Sequence, residues 1–461
     1  MDKISLYALS GVAFVNSCID GAIIPVALSL SRTYGNGSEW WVPVLASAFR
    51  MGTILGFPTL GCFADKSGYR GIGVVALVFS IILTFTCIFA EELILVLLLR
   101  AGLGFFSFDL IGTNWINRNS ITPKIRRGNL AVYGLMQPMG AVFGMLVSGI
   151  VDSFDTSLYS WKIVNIIWCV ALFFAVPILV KFVRPPMTDK EIEEESGRLR
   201  AELETSRKNK QIKPNPSGNR KAEKSQRLTD TLSQRHDGEA HSLHGTIWRN
   251  KNHFFLCVCF GATVGFLVTL VVILCVEDLA FSSLHVSLTF VGFVAAYMSF
   301  IVFVYPRLVK RIGLVYTLLS IVVGMIIVDT ISTIIISWGA SFIAVLVLTF
   351  FHHVGAVSGE ICNKTLLLEQ IPFAIEGRVM GIFFAVRQCA VVLGSYASVF
   401  LYKDVSQFAP WLARAILLVL GLLLFCHRFF SIKRAVDVRL DSSESLDDSQ
   451  DAESGTVSVN V

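Results

Sequence analysis

Charged residues are scarce in this sequence. Only 16% of its 461 residues are Asp, Glu, Lys or Arg, whereas 54% are hydrophobic. A soluble globular domain has about 25% charged residues, so much of this chain's surface is expected to face lipid rather than water. The net charge of +5 is small, and most basic residues fall in short loops and one polar stretch. This distribution argues against a nucleic-acid-binding protein.

Cysteine pairs, metal motifs and catalytic motifs are also missing. The ten cysteines lie in or at the ends of apolar stretches, so the sequence predicts no disulfide framework. Cys257 and Cys259 would face different directions on a helix, which disfavours a metal site there. No nucleophile stands at helical spacing from a base. We therefore expect no enzyme, no catalytic residue, no metal site and no cofactor.

Long apolar runs, in contrast, are abundant. A membrane-spanning helix needs about 20 mostly apolar residues, and twelve such stretches occur between 5–30 and 409–430. They fall into two groups of six around a polar stretch, which suggests an internal repeat. The sequence predicts an all-α polytopic membrane protein with twelve transmembrane helices in two six-helix pseudo-repeats.

The predicted organisation has four parts. An N-terminal six-helix bundle covers 1–184, and a C-terminal bundle covers 252–432. The linker between them, 185–251, is rich in Lys, Arg, Ser and Gln, and the tail, 433–461, is acidic and Ser-rich. Both segments are expected to be mostly disordered because they have little apolar surface to bury. A short surface helix is expected over 189–208.

Loop charges predict the orientation of the chain. The loops on one side hold many basic residues, and those on the other side hold only Arg32, Lys162 and Lys403. The excess of Lys and Arg in cytoplasmic loops then places both termini in the cytoplasm. Asn36 begins a glycosylation sequon on the outer side; the sequence leaves open whether it is glycosylated, and whether the host membrane is the plasma membrane or an endolysosomal one.

The loop after the second apolar stretch carries the most specific motif. Gly61 is followed by Asp65, Lys66, Gly68 and Arg70. This pattern resembles the signature loop of the major facilitator superfamily, and it lies between the second and third helices, as in that family. The resemblance implies the major facilitator fold and a gating role for these five residues. Gly68 also permits a tight turn.

Two further motifs are similar to motifs of that family. Arg100, Gly102 and Gly104 resemble the arginine and glycine motif of the fourth helix, and Pro138 and Gly140 lie in a Gly/Pro-rich fifth helix. Small residues allow helix backbones to approach closely in a membrane. The resemblance implies a structural role for all five residues.

Within the superfamily, the chain most resembles the Spinster-like lysolipid and sphingolipid transporters. The resemblance rests on Asn16 and Asp20 in the first helix, Pro58 before the signature loop and Trp161 at the start of the sixth helix. Gly21 follows Asp20 where those proteins have a basic residue. The resemblance implies a solute of the lysolipid type.

Polar and charged residues inside the spans are the candidate site. A charge at bilayer depth costs about 3 kcal/mol or more, so it needs a partner or a wet cavity. Candidates for binding solute or protons are Asp20, Arg50, Asp109, Asn114, Asn117, His353, Glu360, Arg387 and Gln388. His353 and Glu360 share a helical stripe with Lys364.

Two interpretations of these charges remain open. In the first, Asp20 or Asp109 takes up and releases a proton, and Arg50 or Arg387 binds an anionic group through its guanidinium. In the second, the charges form static ion pairs, such as Asp20 with Arg50, that hold helices together. We expect His352 and Asp329 to be structural rather than functional.

The predicted function is secondary active transport of a small organic or amphiphilic solute by alternating access, with proton coupling and a lysolipid solute as options. The alternative is a receptor or scaffold that keeps the fold without transporting anything. The expected partners are the solute, protons and the lipid bilayer, with no nucleic acid, and the expected oligomeric state is a monomer.

Overall fold

The structure of this chain is a computed structural model that describes most of its apolar stretches. The described residues are 3–34, 41–120, 123–154, 158–183, 194, 198, 243–339, 341–368, 370–371 and 375–427. They are helical throughout and include twelve helices long and apolar enough to cross a membrane. The predicted fold class is confirmed. The sequon at Asn36, the expected helix over 189–208, most of the linker and the tail 433–461 lie outside the described residues.

Six spans, α1 to α6, form the first half of the chain, and two of them are interrupted. They are α1 (Lys3–Gly21 and Ile23–Tyr34), α2 (Trp41–Ser67), α3 (Tyr69–Cys87), α4 (Leu93–Phe105 and Asp109–Arg118), α5 (Pro123–Phe154) and α6 (Leu158–Phe182).

Six spans, α7 to α12, form the second half, and three of them contain a π-helical turn. They are α7 (Lys251–Ile273, then Leu274–Asp278), α8 (Ser283–Ser299, Phe300–Val304 and Tyr305–Ile312), α9 (Leu314–Ser337), α10 (Phe342–Leu368), α11 (Glu376–Phe400, then Leu401–Val405) and α12 (Ala409–Cys426).

Equivalent glycines mark the internal repeat. Gly68 between α2 and α3 has φ 88°, and Gly313 between α8 and α9 has φ 83°. Both values lie in the left-handed region, which glycine adopts without a steric penalty. A glycine with positive φ therefore forms the turn at the same place in each half.

Close helix packing repeats in the same way. A Cβ added to Gly21 on α1 would lie 1.8 Å from the carbonyl oxygen of Ala141 on α5. In the second half, a Cβ on Gly394 of α11 would lie 2.3 Å from the carbonyl oxygen of Ala262 on α7. Backbones in such direct contact leave no room for a side chain, which is how helices associate where lipid supplies no hydrophobic drive.

The two halves touch at both ends of the bundle. At the end that carries the α2–α3 loop, called here the motif end, Phe57 of α2 and Leu110 of α4 share an apolar cluster with Met380 of α11. At the opposite end, the hydroxyl of Ser283 on α8 donates to Asp152 of α5 at 2.7 Å. The described conformation therefore has contacts between the halves on both sides of its middle.

A short helix, Leu243–Arg249, precedes α7, inside the segment predicted as mostly disordered. Leu243 and Ile247 pack against the apolar cluster of the motif end. Trp248 lies under the ammonium of Lys251, 4.3 Å from the ring centroid to Nζ. These contacts give this stretch apolar area to bury, which the more polar residues before it do not have.

Candidate solute-binding site

The interruption of α1 positions Asp20. Pro25 lacks an N–H and cannot bond back to residue 21, and the helix breaks at Ala22. Arg100 of α4 compensates by donating to the carbonyl oxygens of Ile19 at 2.8 Å and Asp20 at 3.1 Å. Because the guanidinium of Arg100 is buried, it has few other hydrogen-bond acceptors within reach. Arg100 thus supplies hydrogen bonds to two carbonyl oxygens of the broken turn; its structural role remains a prediction.

Arg50 connects Asp20 to the other half of the molecule. Its Nη2 lies 3.7 Å from the carboxylate of Asp20, and the Nη2 of Arg100 lies 3.7 Å from the other carboxylate oxygen. Arg50 Nη1 also donates to the side-chain oxygen of Gln388 on α11 at 3.3 Å. The side chains of Asp20 and Arg50 keep 23% and 19% of their accessible area. One guanidinium therefore contacts both halves near mid-depth.

A second ion pair lies within the second half. Arg387 of α11 places Nε 2.7 Å from the carboxylate of Glu360 on α10. Arg387 and Gln388 are neighbours in sequence, so their side chains leave α11 about 100° apart. As a result, Arg387 contacts the second half and Gln388 contacts the first.

Asp109 begins the second segment of α4. The helix stops at Phe105 and resumes at Asp109, a break that the apolar run in the sequence did not indicate. A carboxylate is favourable at a helix N-terminus because the first N–H groups there are unpaired. The Oδ1 atom of Asp109 is buried and has no hydrogen-bond partner among the described residues.

Several other candidates are buried without hydrogen-bond partners. Both side-chain polar atoms of Asn114 and Asn117 on α4 lack a partner in the described part of the chain. His353 stacks on Phe293 of α8, with 5.5 Å between ring centroids, and its Nδ1 is unpaired. Buried polar groups normally find a partner. These atoms are therefore available to water or a solute.

Lys364 is a site residue that the candidate list omitted, although it falls on the stripe of His353 and Glu360. Its Nζ lies 3.5 Å from the hydroxyl of Thr113 on α4 and 4.7 Å from the ring centroid of Phe384. It therefore reaches across the interface between the halves, one helical turn along α4 from Asp109.

Another charged cluster lies apart from this site. The guanidinium of Arg414 on α12 donates to both carboxylate oxygens of Asp329 on α9, and Nδ1 of His352 on α10 lies 3.0 Å from the same carboxylate. All three side chains are buried. The structural role expected of Asp329 and His352 stays a prediction, and their burial in one ion-pair cluster is consistent with it. Arg414 was missed, because it lies close to the start of the last apolar run.

The gating motif is described in part. Gly61 faces α11, where a Cβ would lie 3.2 Å from the carbonyl oxygen of Gly377. Arg70 donates to the carbonyl oxygen of Val180 on α6 at 2.7 Å. The side chains of Asp65 and Lys66 lie outside what the structure describes.

The structural motif residues sit at helix contacts. A Cβ on Gly104 would lie 1.7 Å from the carbonyl oxygen of Phe49, and a Cβ on Gly140 would lie 2.2 Å from that of Phe14. Gly102 is less crowded, facing the side chain of Leu83 at 3.1 Å. Pro138 lies inside α5.

Comparison with sequence families identifies the family of the chain. A sequence model of the family described as the Major Facilitator Superfamily matches residues 9–395. The chain belongs to this superfamily. It is therefore an integral, multi-pass membrane protein of a family whose members are transporters rather than enzymes. No curated protein sequence matches the chain significantly.

Solved structures share the fold at low sequence identity. The proton:xylose symporter XylE bound to a bromodeoxyglucose matches with a TM-score of 0.71 and 16% identity, over 93% of this chain and 96% of that one. The human organic anion transporter MFSD10 matches with 0.68 and 13%, over 92% and 99%. A bacterial homologue of the iron transporter ferroportin, in an outward-facing state, matches with 0.59 and 14%, over 93% and 100%.

Proposed function

We propose that this protein is a secondary transporter that moves a small organic solute by alternating access around the contact of Asp20, Arg50 and Gln388. The observation that carries the proposal is that Arg50 contacts a carboxylate of its own half and an amide of the other half at once. A rocking motion of the halves changes this contact, so a solute bound there is coupled to the motion.

The contacts at the two ends support such a motion. The motif end closes through apolar packing of Phe57 and Leu110 against α11, and the opposite end closes through serine hydroxyls, including Ser287 donating to the carbonyl oxygen of Met145 at 3.0 Å. Each such hydrogen bond contributes only about 0.5–1.5 kcal/mol. Neither closure requires the other, so the ends can open in turn.

The proposal also assigns the driving ion and a candidate solute. Asp20 and Asp109 are the carboxylates we assign to proton uptake, because both lie in the interior and Asp109 has an unpaired oxygen. The matched structures transport a sugar, organic anions and a metal by name, so they do not narrow the solute. A lysolipid is the candidate that the Spinster-like resemblance adds.

The proposed topology places the motif end and both termini in the cytoplasm. Basic residues at the helix ends of that side, such as Arg307 in α8 and Arg378 in α11, support this orientation through the positive-inside rule. The two six-helix bundles, 1–184 and 252–432, are proposed to move as units, and the protein is proposed to act as a monomer.

The test is transport by purified protein in proteoliposomes, with and without an imposed pH gradient. The solutes are a labelled lysophospholipid, glucose and gluconate. We expect uptake of at least one of them, and a loss of at least about tenfold, or 1.4 kcal/mol, in Asp20→Asn and Asp109→Asn. Asp404→Asn, an exposed carboxylate at the end of α11, is the matched control and should transport normally.

Two results would contradict the proposal in different ways. Uptake that is unchanged in Asp20→Asn would remove this carboxylate from the mechanism and favour a static ion pair. No uptake of any solute by a folded protein would favour a receptor or scaffold with the same fold.

A further inference from the structure

We infer that the solute carries an anionic group and that Lys364 binds it, together with the hydroxyl of Thr113 and the amide of Asn117. This inference rests on the proposed function and specifies its solute class. The group is a carboxylate, sulfonate or phosphate on an organic molecule.

Lys364 has no carboxylate partner within the described part of the chain. Among the described residues its contacts are the hydroxyl of Thr113 at 3.5 Å and the face of the Phe384 ring at 4.7 Å. No ion pair joins Lys364 to a carboxylate among the described residues, although Asp109 lies one helical turn along α4 from Thr113. The hydroxyl and the ring compensate an ammonium at bilayer depth weakly, and such a group needs a partner or water.

Each of the other cations of the site lies beside a carboxylate. Glu360 pairs with Arg387 at 2.7 Å, and Asp20 is shared by Arg50 and Arg100. Cations outnumber carboxylates in this group, which consists of Arg50, Arg100, Lys364 and Arg387 against Asp20, Asp109 and Glu360. One negative charge supplied by a solute would balance the group, and Lys364 is the one of these four cations with no carboxylate at ion-pair distance among the described residues.

The face of α4 that carries Thr113 also carries buried polar atoms with no partner among the described residues. Asp109, Thr113 and Asn117 follow one another at intervals of four residues and so share a face. Both side-chain polar atoms of Asn117 are buried without a partner in the described residues. Its amide can donate to an anion that Lys364 holds, and the hydroxyl of Thr113 can donate as well.

The position of Lys364 gives this binding a consequence for transport. Lys364 lies on α10 and Thr113 on α4, so an anion between them contacts both halves. Its binding would stabilise the arrangement in which the halves are close, and its release would accompany their separation. A charged solute would thereby be required for efficient exchange between the two open states.

The experiment compares solutes that differ only in one anionic group. Glucuronate is paired with glucose, and lysophosphatidate is paired with monoacylglycerol, so that carboxylate and phosphate are tested separately. Binding is measured by thermal stabilisation of the purified, detergent-solubilised protein, and transport is measured in proteoliposomes. The variants are Lys364→Met and Lys364→Arg. The control is Lys251→Met, because Lys251 also lies over an aromatic ring but at an exposed position.

We expect the anionic member of at least one pair to bind at least about tenfold more tightly than its neutral partner. Lys364→Met should remove this preference without changing the affinity for the neutral member, Lys364→Arg should keep it, and Lys251→Met should have no effect. Equal binding of charged and neutral solutes, or no binding of any anionic one, would overturn the inference. A preference that survives in Lys364→Met would overturn the assignment to Lys364.

The same data separate this inference from the proposed function. Transport of a neutral solute with no anion preference would leave the transporter intact and reject the anion site. Anion binding that depends on Lys364, without movement of any solute, would keep the site and reject transport.

Discussion

Removing the charge of Asp329 should destabilise the protein strongly, since this carboxylate is the counter-charge of the buried Arg414. The side chains of Asp329 and Arg414 have no solvent-accessible area. Asp329→Asn therefore leaves the guanidinium of Arg414 buried without a counter-charge. Breaking one partner of a buried pair typically costs about 3–5 kcal/mol. At about 1.4 kcal/mol per factor of ten, the ratio of folded to unfolded protein should fall by at least about a hundredfold.

The positions of the cysteines allow unfolding to be measured with a thiol-reactive dye. Cys18, Cys87 and Cys275 are buried and unpaired, whereas Cys62 and Cys426 are exposed. A thiol-reactive dye should therefore report unfolding of detergent-solubilised protein on heating, with the two exposed thiols replaced by serine to lower the background. The apparent melting temperature of Asp329→Asn should be clearly lower than that of the wild type.

Two comparisons decide whether the reasoning is right. The double variant Asp329→Leu with Arg414→Met should be more stable than either single variant, because replacing both charges removes the desolvation cost. Glu91→Gln, which breaks the exposed pair with Lys162 at 3.5 Å, should change stability by less than about 1 kcal/mol. An unchanged melting temperature in Asp329→Asn, or a double variant less stable than both singles, would refute the account of this cluster.

Two further predictions concern helix packing and closure. Gly265→Ala should lower folding yield and melting temperature, because its Cβ would lie 2.0 Å from the carbonyl oxygen of Val391, whereas Gly134→Ala, with no atom within 4 Å, should not; equal effects of the two would contradict the packing argument. Ser283→Ala should increase the fraction of molecules that are open at the end opposite the motif end by roughly two- to tenfold. The substitution removes a hydrogen bond between the halves that contributes about 0.5–1.5 kcal/mol. Faster thiol labelling of a cysteine placed near that end would show the shift, and unchanged labelling would count against this gate.

The spans could be predicted from sequence because lipid fixes the length and polarity of a spanning helix. The breaks could be predicted only in part. Pro25 gives a local reason for the interruption of α1, but the interruption of α4 at Phe106–Phe108 lies in an apolar run with no proline. Next to this break, Tyr133 of α5 donates to the carbonyl oxygen of Asp109 at 3.3 Å, a contact between helices that the local sequence does not indicate.

The candidate site shows the same limit. Sequence spacing places Asp20, Arg50 and Gln388 at similar depth, and the Asp20–Arg50 contact was anticipated as an alternative. Sequence spacing does not show that Arg50 reaches Gln388 across the interface. The distance between these two side chains depends on helix rotation and on the relative position of the halves. Arg414 was missed because it lies near the start of a span, where a basic residue commonly reaches the membrane surface. Lys364 lies on the stripe of His353 and Glu360, but the sequence does not show that it reaches Thr113 of the other half.

Access to Gln388 from the two sides of the membrane tests the central proposal most directly. The variant Gln388→Cys would be reconstituted with the exposed and half-buried cysteines changed to serine, namely Cys62, Cys169, Cys389 and Cys426. A membrane-impermeant thiol reagent would then be added to one side or the other. Alternating access predicts labelling from each side in turn, with the solute changing the balance. Labelling from one side alone, under every solute and pH gradient applied, would contradict it.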